Sequence, residues 1–323
     1  MKRIAVLTSG GDAPGMNACV RAVVRYGLAA GAEVYGVRRG YAGLMANDII
    51  ELDSRAVGGS IRQGGTILMS ARSKEFKTEE AQKLAIDVLR GWQIEGLVVI
   101  GGDGSLAGAA ALHRMGFSVV GVPASIDNDI PETEMAIGVD TALNTILDAM
   151  DKIKDTASAH QRAFIIEVMG RAHGYLALMA GIAGGAEMVV LPKTNIDKDR
   201  VAQEVKSAFL RGKPHFIIVA AEGARTPEKS ISELLCEYVS TSGHEPRSTV
   251  LGHVQRGGSP TCFDRLLGTR FGAAAVDALL NGHTGVMIGV KGGRIVTVEL
   301  EKVLTGAAML SPEMLRLAEP LAH

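Results

Sequence analysis

The sequence predicts an α/β fold built from two doubly wound, mostly parallel sheets. Three observations lead there. Short apolar runs of strand length recur along the chain, among them Ile4-Ala5-Val6-Leu7-Thr8, Gly96-Leu97-Val98-Val99-Ile100 and Ser118-Val119-Val120-Gly121-Val122. They are almost free of polar residues, as strands covered on both faces are. Between such runs lie segments with apolar residues at helical spacing, such as Ala81, Leu84, Ala85, Val88 and Leu89. Strand alternating with helix implies parallel sheets with helices on both faces. At 323 residues the chain suits two domains, or one large domain with an insertion.

Composition narrows the function classes. Hydrophobic residues make up 47% and charged residues 21%, and the formal net charge is −1. The chain therefore has no basic field for nucleic acid or an anionic membrane, and any anion site must come from local arginines. Cys19, Cys236 and Cys262 are widely spaced and form no CxxC pair. They read as small apolar residues in a reducing compartment, not as a disulfide framework or a zinc site. Lys2-Arg3 runs straight into a five-residue apolar segment, too short for a signal peptide. The most apolar stretch, Tyr175 to Ala186, is rich in small residues and stops at Glu187, short of the about 20 residues that span a bilayer. The expectation is a cytoplasmic protein with neither membrane nor nucleic-acid partners.

Taken in order, the first strand runs into Ser9-Gly10-Gly11-Asp12-Ala13-Pro14-Gly15, and a helix follows from about Met16 to Ala30. A strand, a Gly-rich turn and a helix start make an anion site, because backbone N–H groups face the ligand at the positive end of the helix dipole. The Gly11 amide is suited to touch a phosphate; the spacing is not the dinucleotide GxGxxG. Glu33 to Val37 is the next strand. Arg38 to Gly43 reads as a loop in which Tyr41 either stacks on a base or packs half-buried. Arg62-Gln63-Gly64-Gly65-Thr66 is a turn, and beyond it Arg72 is either a phosphate clamp or a surface ion pair. The strand ending at Ile100 opens into Gly101-Gly102-Asp103-Gly104-Ser105, with a helix expected from Leu106. This second anion turn makes Asp103 a metal ligand among phosphate oxygens. No Gly-Lys-Ser/Thr follows, so it is not a Walker A loop.

The strand through Val122 stops at Pro123, which offers no N–H to a sheet ladder. Ala124-Ser125-Ile126-Asp127-Asn128-Asp129 therefore starts at the C-terminal edge of a sheet, where open α/β folds bind ligands. Asp127 and Asp129 are two apart, so in an extended loop both carboxylates face one side. They suit Mg2+, held directly or through water, or proton transfer in which one carboxylate tunes the other; a solvated turn is the plain alternative. After Gly138 the alternation resumes. A helix carries Leu143 to Ile153, and a strand from Phe164 to Met169 ends in Gly170-Arg171. Helix Ala177 to Ala183, strand Met188 to Leu191, a helix through Val201 to Phe209, and strand Phe216 to Ala221 ending at Glu222 follow. Val250 to Gly258 reads as a strand feeding a Gly-rich turn. A helix from about Phe263 to Leu280 precedes a hairpin, Val286 to Val290 and Ile295 to Glu299.

Five segments then stand in a fixed order: Thr8 to Asn17, Gly101 to Ser105, Ser125 to Asp129, Met169-Gly170-Arg171 and Leu251 to Pro260. Together they resemble one family over essentially the whole chain, the bacterial ATP-dependent 6-phosphofructokinases. The resemblance implies transfer of the ATP γ-phosphoryl group to the 1-hydroxyl of fructose 6-phosphate, giving fructose 1,6-bisphosphate and ADP. It implies a homotetramer with active sites shared between subunits and set in a cleft between two domains. Residues 1–138 with 256–305 would be the larger, ATP-binding domain, and 139–255 with 306–323 the smaller, sugar-phosphate domain.

Site roles follow from the same resemblance, position by position. Asp127 matches the base that takes the hydroxyl proton, with Asp129 supporting it. Asp103 matches the Mg2+ position. The Gly11 amide, Arg72 and the Ser125 hydroxyl match contacts to the transferred phosphoryl group, and Arg171 matches the residue that stabilises its developing charge. Tyr41, Ser73, Gly102, Gly104, Ser105 and Gly108 complete the nucleotide site. Arg162, Arg247, His253 and Arg256 match the sugar-phosphate cradle, the first two reaching in from a neighbouring subunit. Ile126, Met169, Gly170, Glu222, Val254 and Gln255 match further substrate positions. An effector pocket for ADP or phosphoenolpyruvate is implied at Arg21, Ala22, Val23, Val24 and Arg25, at Lys154, at Gly185, Ala186 and Glu187, and at Arg211, Lys213, Pro214 and His215.

The chain departs from the family pattern at several of these positions. Ala124-Ser125 stands where Gly-Thr is usual, Ser73 replaces a frequent aromatic, and Tyr175 a frequent Asp. In the effector pocket Lys154 stands for an Arg and Pro214 for a Lys, and Lys cannot make the bidentate fork of Arg. The pyrophosphate-dependent branch usually carries Asp at the position of Gly104 and Lys at that of Ala124; both are absent, which favours ATP. A silent nucleotide-sensing subunit would have lost Asp103, Asp127 or Arg171, and all three are present. An NAD or lipid kinase shares the GGDG turn without the sugar-phosphate motifs.

Overall fold

The computed structural model describes residues 1–321. In chain order, Arg3–Ser9 (β1) leads to Met16–Ala29 (α1), Glu33–Val37 (β2), Gly40–Met45 (α2), Ile49–Glu51 (β3), Glu79–Gly91 (α3), Gly96–Gly101 (β4), Asp103–Arg114 (α4) and Ser118–Pro123 (β5). Then come Val139–His160 (α5), Ala163–Val168 (β6), Tyr175–Ala183 (α6), Met188–Val190 (β7), Lys198–Leu210 (α7), Phe216–Ala221 (β8), Ile231–Ser240 (α8) and Pro246–Val250 (β9). The last elements are Cys262–Leu280 (α9), Val286–Lys291 (β10), Arg294–Glu299 (β11), Leu300–Thr305 (α10) and Pro312–Leu321 (α11). No helix among the described residues is long and apolar enough to cross a membrane.

The chain divides into two compact units. Residues 1–126, 130–141 and 256–308 form the first; residues 127–129, 142–255 and those from 309 onward form the second. In the first unit the strands run in the order β11-β10-β5-β4-β1-β2-β3, with β11 and β3 antiparallel at the edges and the rest parallel. After β1 the chain moves to β2 on one side, then returns to β4 on the other. The order therefore reverses between β1 and β4, a switch point that opens a crevice at the carboxyl ends of the strands. Register brings the ends level: Ser9 lies opposite Gly101, and Gly101 opposite Pro123. In the second unit the order is β7-β8-β6-β9, all parallel, with Val168 opposite Ala221 and Glu167 opposite Val250. Its core packs Ile165 and Ile218 of the sheet with Val205 of α7 and Leu235 of α8.

Where structure and sequence reading differ, the cause is local. Arg38 to Gly43 is not all loop: Arg39 adopts a left-handed φ of 59° and starts α2. The helix expected from Leu106 begins at Asp103, because Gly102 in extended geometry accepts the first-turn amides of Ser105 and Leu106. The strand expected from Val250 ends there. Gly252 turns with a φ of 54°, and residues 252–256 wind into a 3-10 turn that leaves Val254 exposed.

The N-termini of α5 and α9 hold each other. Asp264, fully buried, accepts the Gly138 N–H at 2.8 Å on one oxygen, and the Thr141 N–H at 2.8 Å and hydroxyl at 2.6 Å on the other. Thr261 caps α9 through the Asp264 N–H at 3.3 Å and donates its hydroxyl to Asp140 at 2.6 Å. Burial pushes the Asp264 carboxyl up, against the pull of its three donors. Removing the carboxylate would orphan the buried Gly138 and Thr141 N–H groups and leave the Thr141 hydroxyl only the Thr261 hydroxyl at 3.5 Å, and each orphaned group costs roughly 1–3 kcal/mol. Asp264→Ala should therefore lower stability by about 3 kcal/mol or more, read as an earlier urea midpoint, with Asp264→Asn in between. A wild-type midpoint for Asp264→Ala would show that these bonds add nothing net.

Candidate active site

In the first unit, the carboxyl ends of β1, β4 and β5 lie side by side, so both Gly-rich turns open on the same edge. Asp103 is exposed in the first turn of α4, where the helix dipole favours a negative charge such as its own carboxylate or a phosphate. Gly104 faces open space: a Cβ there would meet no atom within 4 Å. At Gly11 the opposite holds, since a Cβ would lie 2.7 Å from Nη1 of Arg256. Arg256, assigned to the sugar-phosphate cradle, here donates to the Asp12 carbonyl at 3.1 Å and so braces the nucleotide-side turn. Arg72 is exposed and makes no hydrogen bond or ion pair among the described residues.

Tyr41 does not offer a ring face to a base. It is 4% exposed and donates its hydroxyl to the Ser105 carbonyl at 2.7 Å. One face stacks on Phe76 with centroids 3.9 Å apart. Gly108 presses the ring so closely that a Cβ there would sit 2.7 Å from it. Ser73 accepts the Phe76 N–H at 3.2 Å. An aromatic is thus present three residues beyond the place where the sequence reading missed it, and Ser73 caps the turn that carries it.

In the second unit, the carboxyl ends of β6, β8 and β9 deliver Arg171, Glu222 and residues 252–255 to one edge. Asp127, 1% exposed, pairs with Arg171 Nε at 3.1 Å, and Asp129 pairs with Nη1 at 3.4 Å. The two carboxylates converge for a reason other than strand alternation. Asn128 is left-handed, with φ of 48°, so the segment turns and is not extended. Arg171 is itself left-handed, with φ of 47°, and its N–H donates to Glu222 at 3.1 Å. A permanent cation thus faces a carboxylate that is out of water, and strained backbone aims it there.

His173, which the sequence reading passed over, lies near this cluster. Burial pulls its imidazole below the ordinary value, against the opposing charge of Asp129. Ser125 is buried, with its N–H on the Ile137 carbonyl, and the Ile126 side chain belongs to the core. Gln255 is not a substrate contact through its side chain. It is fully buried, accepts the Met169 N–H at 3.2 Å and donates to the Gly252 carbonyl at 2.8 Å, so it ties the end of β6 to the turn after β9. His253 on that turn is exposed.

Arg162 and Arg247 are not on this edge. Arg162 precedes β6, and Arg247 lies opposite Phe164 at its start. Arg171 follows the end of β6, about 16 Å further at roughly 3.3 Å per residue. Glu245, which the sequence reading did not single out, holds both arginines, meeting Arg162 at 2.9 Å and Arg247 at 2.5 Å.

Of the positions matched to an effector pocket, Ala22, Val23 and Val24 are buried in the core of the first unit, so their side chains face away from solvent, whereas Arg25 is exposed. In the second unit Glu187 accepts the Ile217 N–H at 2.7 Å and pairs with Lys213 at 3.2 Å. Lys154 donates to the Gly184 carbonyl, and His215 meets the Ser158 hydroxyl at 2.8 Å.

Known proteins resemble this chain over its length. The family model described as Phosphofructokinase matches residues 3–279. An ATP-dependent 6-phosphofructokinase of Halalkalibacterium halodurans is 52% identical over 322 residues, covering 100% of both chains. One from Thermotoga neapolitana is 52% identical over 323 residues, again covering 100% of both. Among solved structures, the phosphofructokinase of Saccharomyces cerevisiae superposes with a TM-score of 0.86 at 37% identity, over 94% of this chain and 45% of that one. The pyrophosphate-dependent phosphofructokinase of Marinobacter aquaeolei gives 0.88 at 23% identity, over 100% of this chain and 92% of that one, a likeness of fold. With switch-point glycine turns, an Asp–Arg pair at a parallel sheet edge and relatives matched end to end, the chain belongs to the phosphofructokinase family.

Proposed function

We propose that this chain is an ATP-dependent 6-phosphofructokinase that phosphorylates the 1-hydroxyl of fructose 6-phosphate in glycolysis. The observation that carries the reading is the Asp127–Arg171 pair, a buried carboxylate ready to accept a proton beside a cation suited to a phosphoryl group. The sugar hydroxyl gives its proton to Asp127 as its oxygen bonds to the γ-phosphorus. The bridging bond to the β-phosphate breaks, and ADP leaves. Charge spreads over the equatorial oxygens in such transfers, and Arg171, Arg72 and the Gly11 N–H are the donors to meet it. Arg171 then exchanges its carboxylate partners for phosphate oxygens.

Asp103 fits Mg2+. The described residues contain no cluster of three potential metal ligands, and Mg2+ on a nucleotide uses one or two carboxylates together with phosphates and water. The ion supplies charge neutralisation on the phosphates. The donor assignment rests on Gly104, beside which space is open, and on Ala124: no Asp or Lys takes the place of a nucleotide there.

The arginine positions favour a site shared between copies. One sheet presents Arg171 and Glu222 at one end and Arg162 with Arg247 at the other, so the second pair is suited to serve a neighbour's sugar phosphate in a homotetramer. A cytoplasmic location accompanies the reading. ADP and phosphoenolpyruvate are its proposed effectors, at Arg25, Lys154, Glu187, Arg211 and Lys213. The Glu187–Lys213 pair would have to open for a metal–nucleotide effector.

A coupled assay with fructose 6-phosphate should show Mg2+-dependent turnover with ATP, and faster turnover with pyrophosphate would refute the donor assignment. Asp127→Asn should lower kcat by roughly 10²–10⁴, the usual contribution of a positioned base, and leave KM for the sugar phosphate within a few-fold. Near-normal kcat in this variant would remove Asp127 from the role of base.

A further inference from the structure

We infer that Asn17 and Thr8 are positioning residues for Arg72, acting through the loop of residues 63–70. The inference rests on the phosphoryl-transfer role proposed for Arg72. That residue is exposed and has no hydrogen bond or ion pair of its own among the described residues, so only its backbone can aim it. The backbone before it has no strand or α-helix from residue 63 to 72, and a segment without a ladder loses little by moving.

Buried side chains from β1 and α1 supply the missing ladder. Asn17 is 1% exposed. Its amide donates to the Gln63 carbonyl at 3.0 Å and the Gly64 carbonyl at 3.2 Å, and accepts the Ile67 N–H at 2.8 Å. Three of the four hydrogen bonds an Asn amide can make thus go to this one loop. Thr8, fully buried, donates to the Met69 carbonyl at 2.8 Å and shares a bond of 2.8 Å with the Thr66 hydroxyl. Further on, Ser70 donates to the Gly10 carbonyl at 2.7 Å. This last bond ties the loop to the turn that presents the Gly11 N–H, so the two phosphate donors share one scaffold. Met69 sits at a left-handed φ of 57°, a conformation that persists only where its surroundings fix it.

The test is a comparison of wild type, Asn17→Ala, Arg72→Ala and the double variant, with Thr8→Val as a second probe that keeps the β-branched shape in β1. Amide exchange read by mass spectrometry should quicken about 10-fold or more over residues 63–70 in Asn17→Ala and Thr8→Val, and stay at wild-type rates in β4 and β6. In both variants kcat should fall about 10–100-fold, the scale of a misplaced catalytic group, with KM for fructose 6-phosphate within about 2-fold. In the Arg72→Ala background, Asn17→Ala should cost less than about 2-fold more, because the residue it aims is gone. A loosened loop with unchanged kcat, or an equal further loss without Arg72, would overturn the inference. Wild-type kcat in Arg72→Ala would overturn the role of Arg72 and this inference with it. A wild-type enzyme inactive on ATP and fructose 6-phosphate would instead refute the activity itself.

Discussion

The parallel register of β6 constrains much of the second unit. Because β8 and β9 run parallel to β6 on either side of it, the carboxyl end of each strand opens on the same edge. Arg171, Glu222 and residues 252–255 are brought together by that alone, with no contact between their side chains required to assemble them. The same register separates Arg162 and Arg247 from Arg171 by the length of the strand. Parallel sheets bind ligands at their carboxyl edges, so two arginines held by Glu245 at the amino edge need another reason to exist. The proposed sharing of sites between copies would give them one.

At the carboxyl edge, electrostatics decides which groups can be kept. A carboxylate as buried as Asp127 is costly without a countercharge, since desolvating an ion outweighs a poorly placed partner. Arg171 provides the charge at 3.1 Å and cannot lose its proton. The arrangement also suits the role proposed for Arg171. A guanidinium fully enclosed by carboxylates would be unavailable to a phosphoryl group, yet this one remains nearly half exposed, at 46%. Left-handed backbone at Gly170 and Arg171, together with the Glu222 bond to the Arg171 N–H, keeps the side chain pointed at the aspartates while its solvent side stays open.

Much of this was legible in the sequence, for physical reasons. Unbroken apolar runs such as Val98-Val99-Ile100 have no stable place except a strand covered on both faces, and glycines directly after a strand mark where backbone meets an anion. The fold class, the two glycine turns and the aspartate pair follow from such local rules. Pairings between residues far apart in sequence do not. Nothing near Glu245 announces that it holds two arginines, one of them 83 residues earlier (245 less 162). Asp264 reads as one more acidic residue in a helix until Gly138 and Thr141 are seen to donate to it. Tyr41 read evenly as base-stacking or packing, because its partner Phe76 lies in a turn with no periodicity. Asn17 belongs to a motif visible at first reading, but its three bonds to the 63–67 segment depend on tertiary closure. Asp127 and Asp129 converge on Arg171 through a left-handed Asn128 and not through strand alternation, and such a backbone turn leaves no trace in hydrophobic pattern.

The proposed function requires that Asp127 and the amino-edge arginines of one chain serve different sites. Subunit mixing tests it most directly. Asp127→Asn and Arg162→Ala proteins, each inactive alone, would be combined under conditions in which exchange of subunits is verified by mass. If sites form across a two-fold interface, half the pairs are mixed and each mixed pair holds one complete site, so about a quarter of wild-type activity should return. Activity that stays at the sum of the two parents despite proven exchange would contradict the account and place both residues in the site of a single chain.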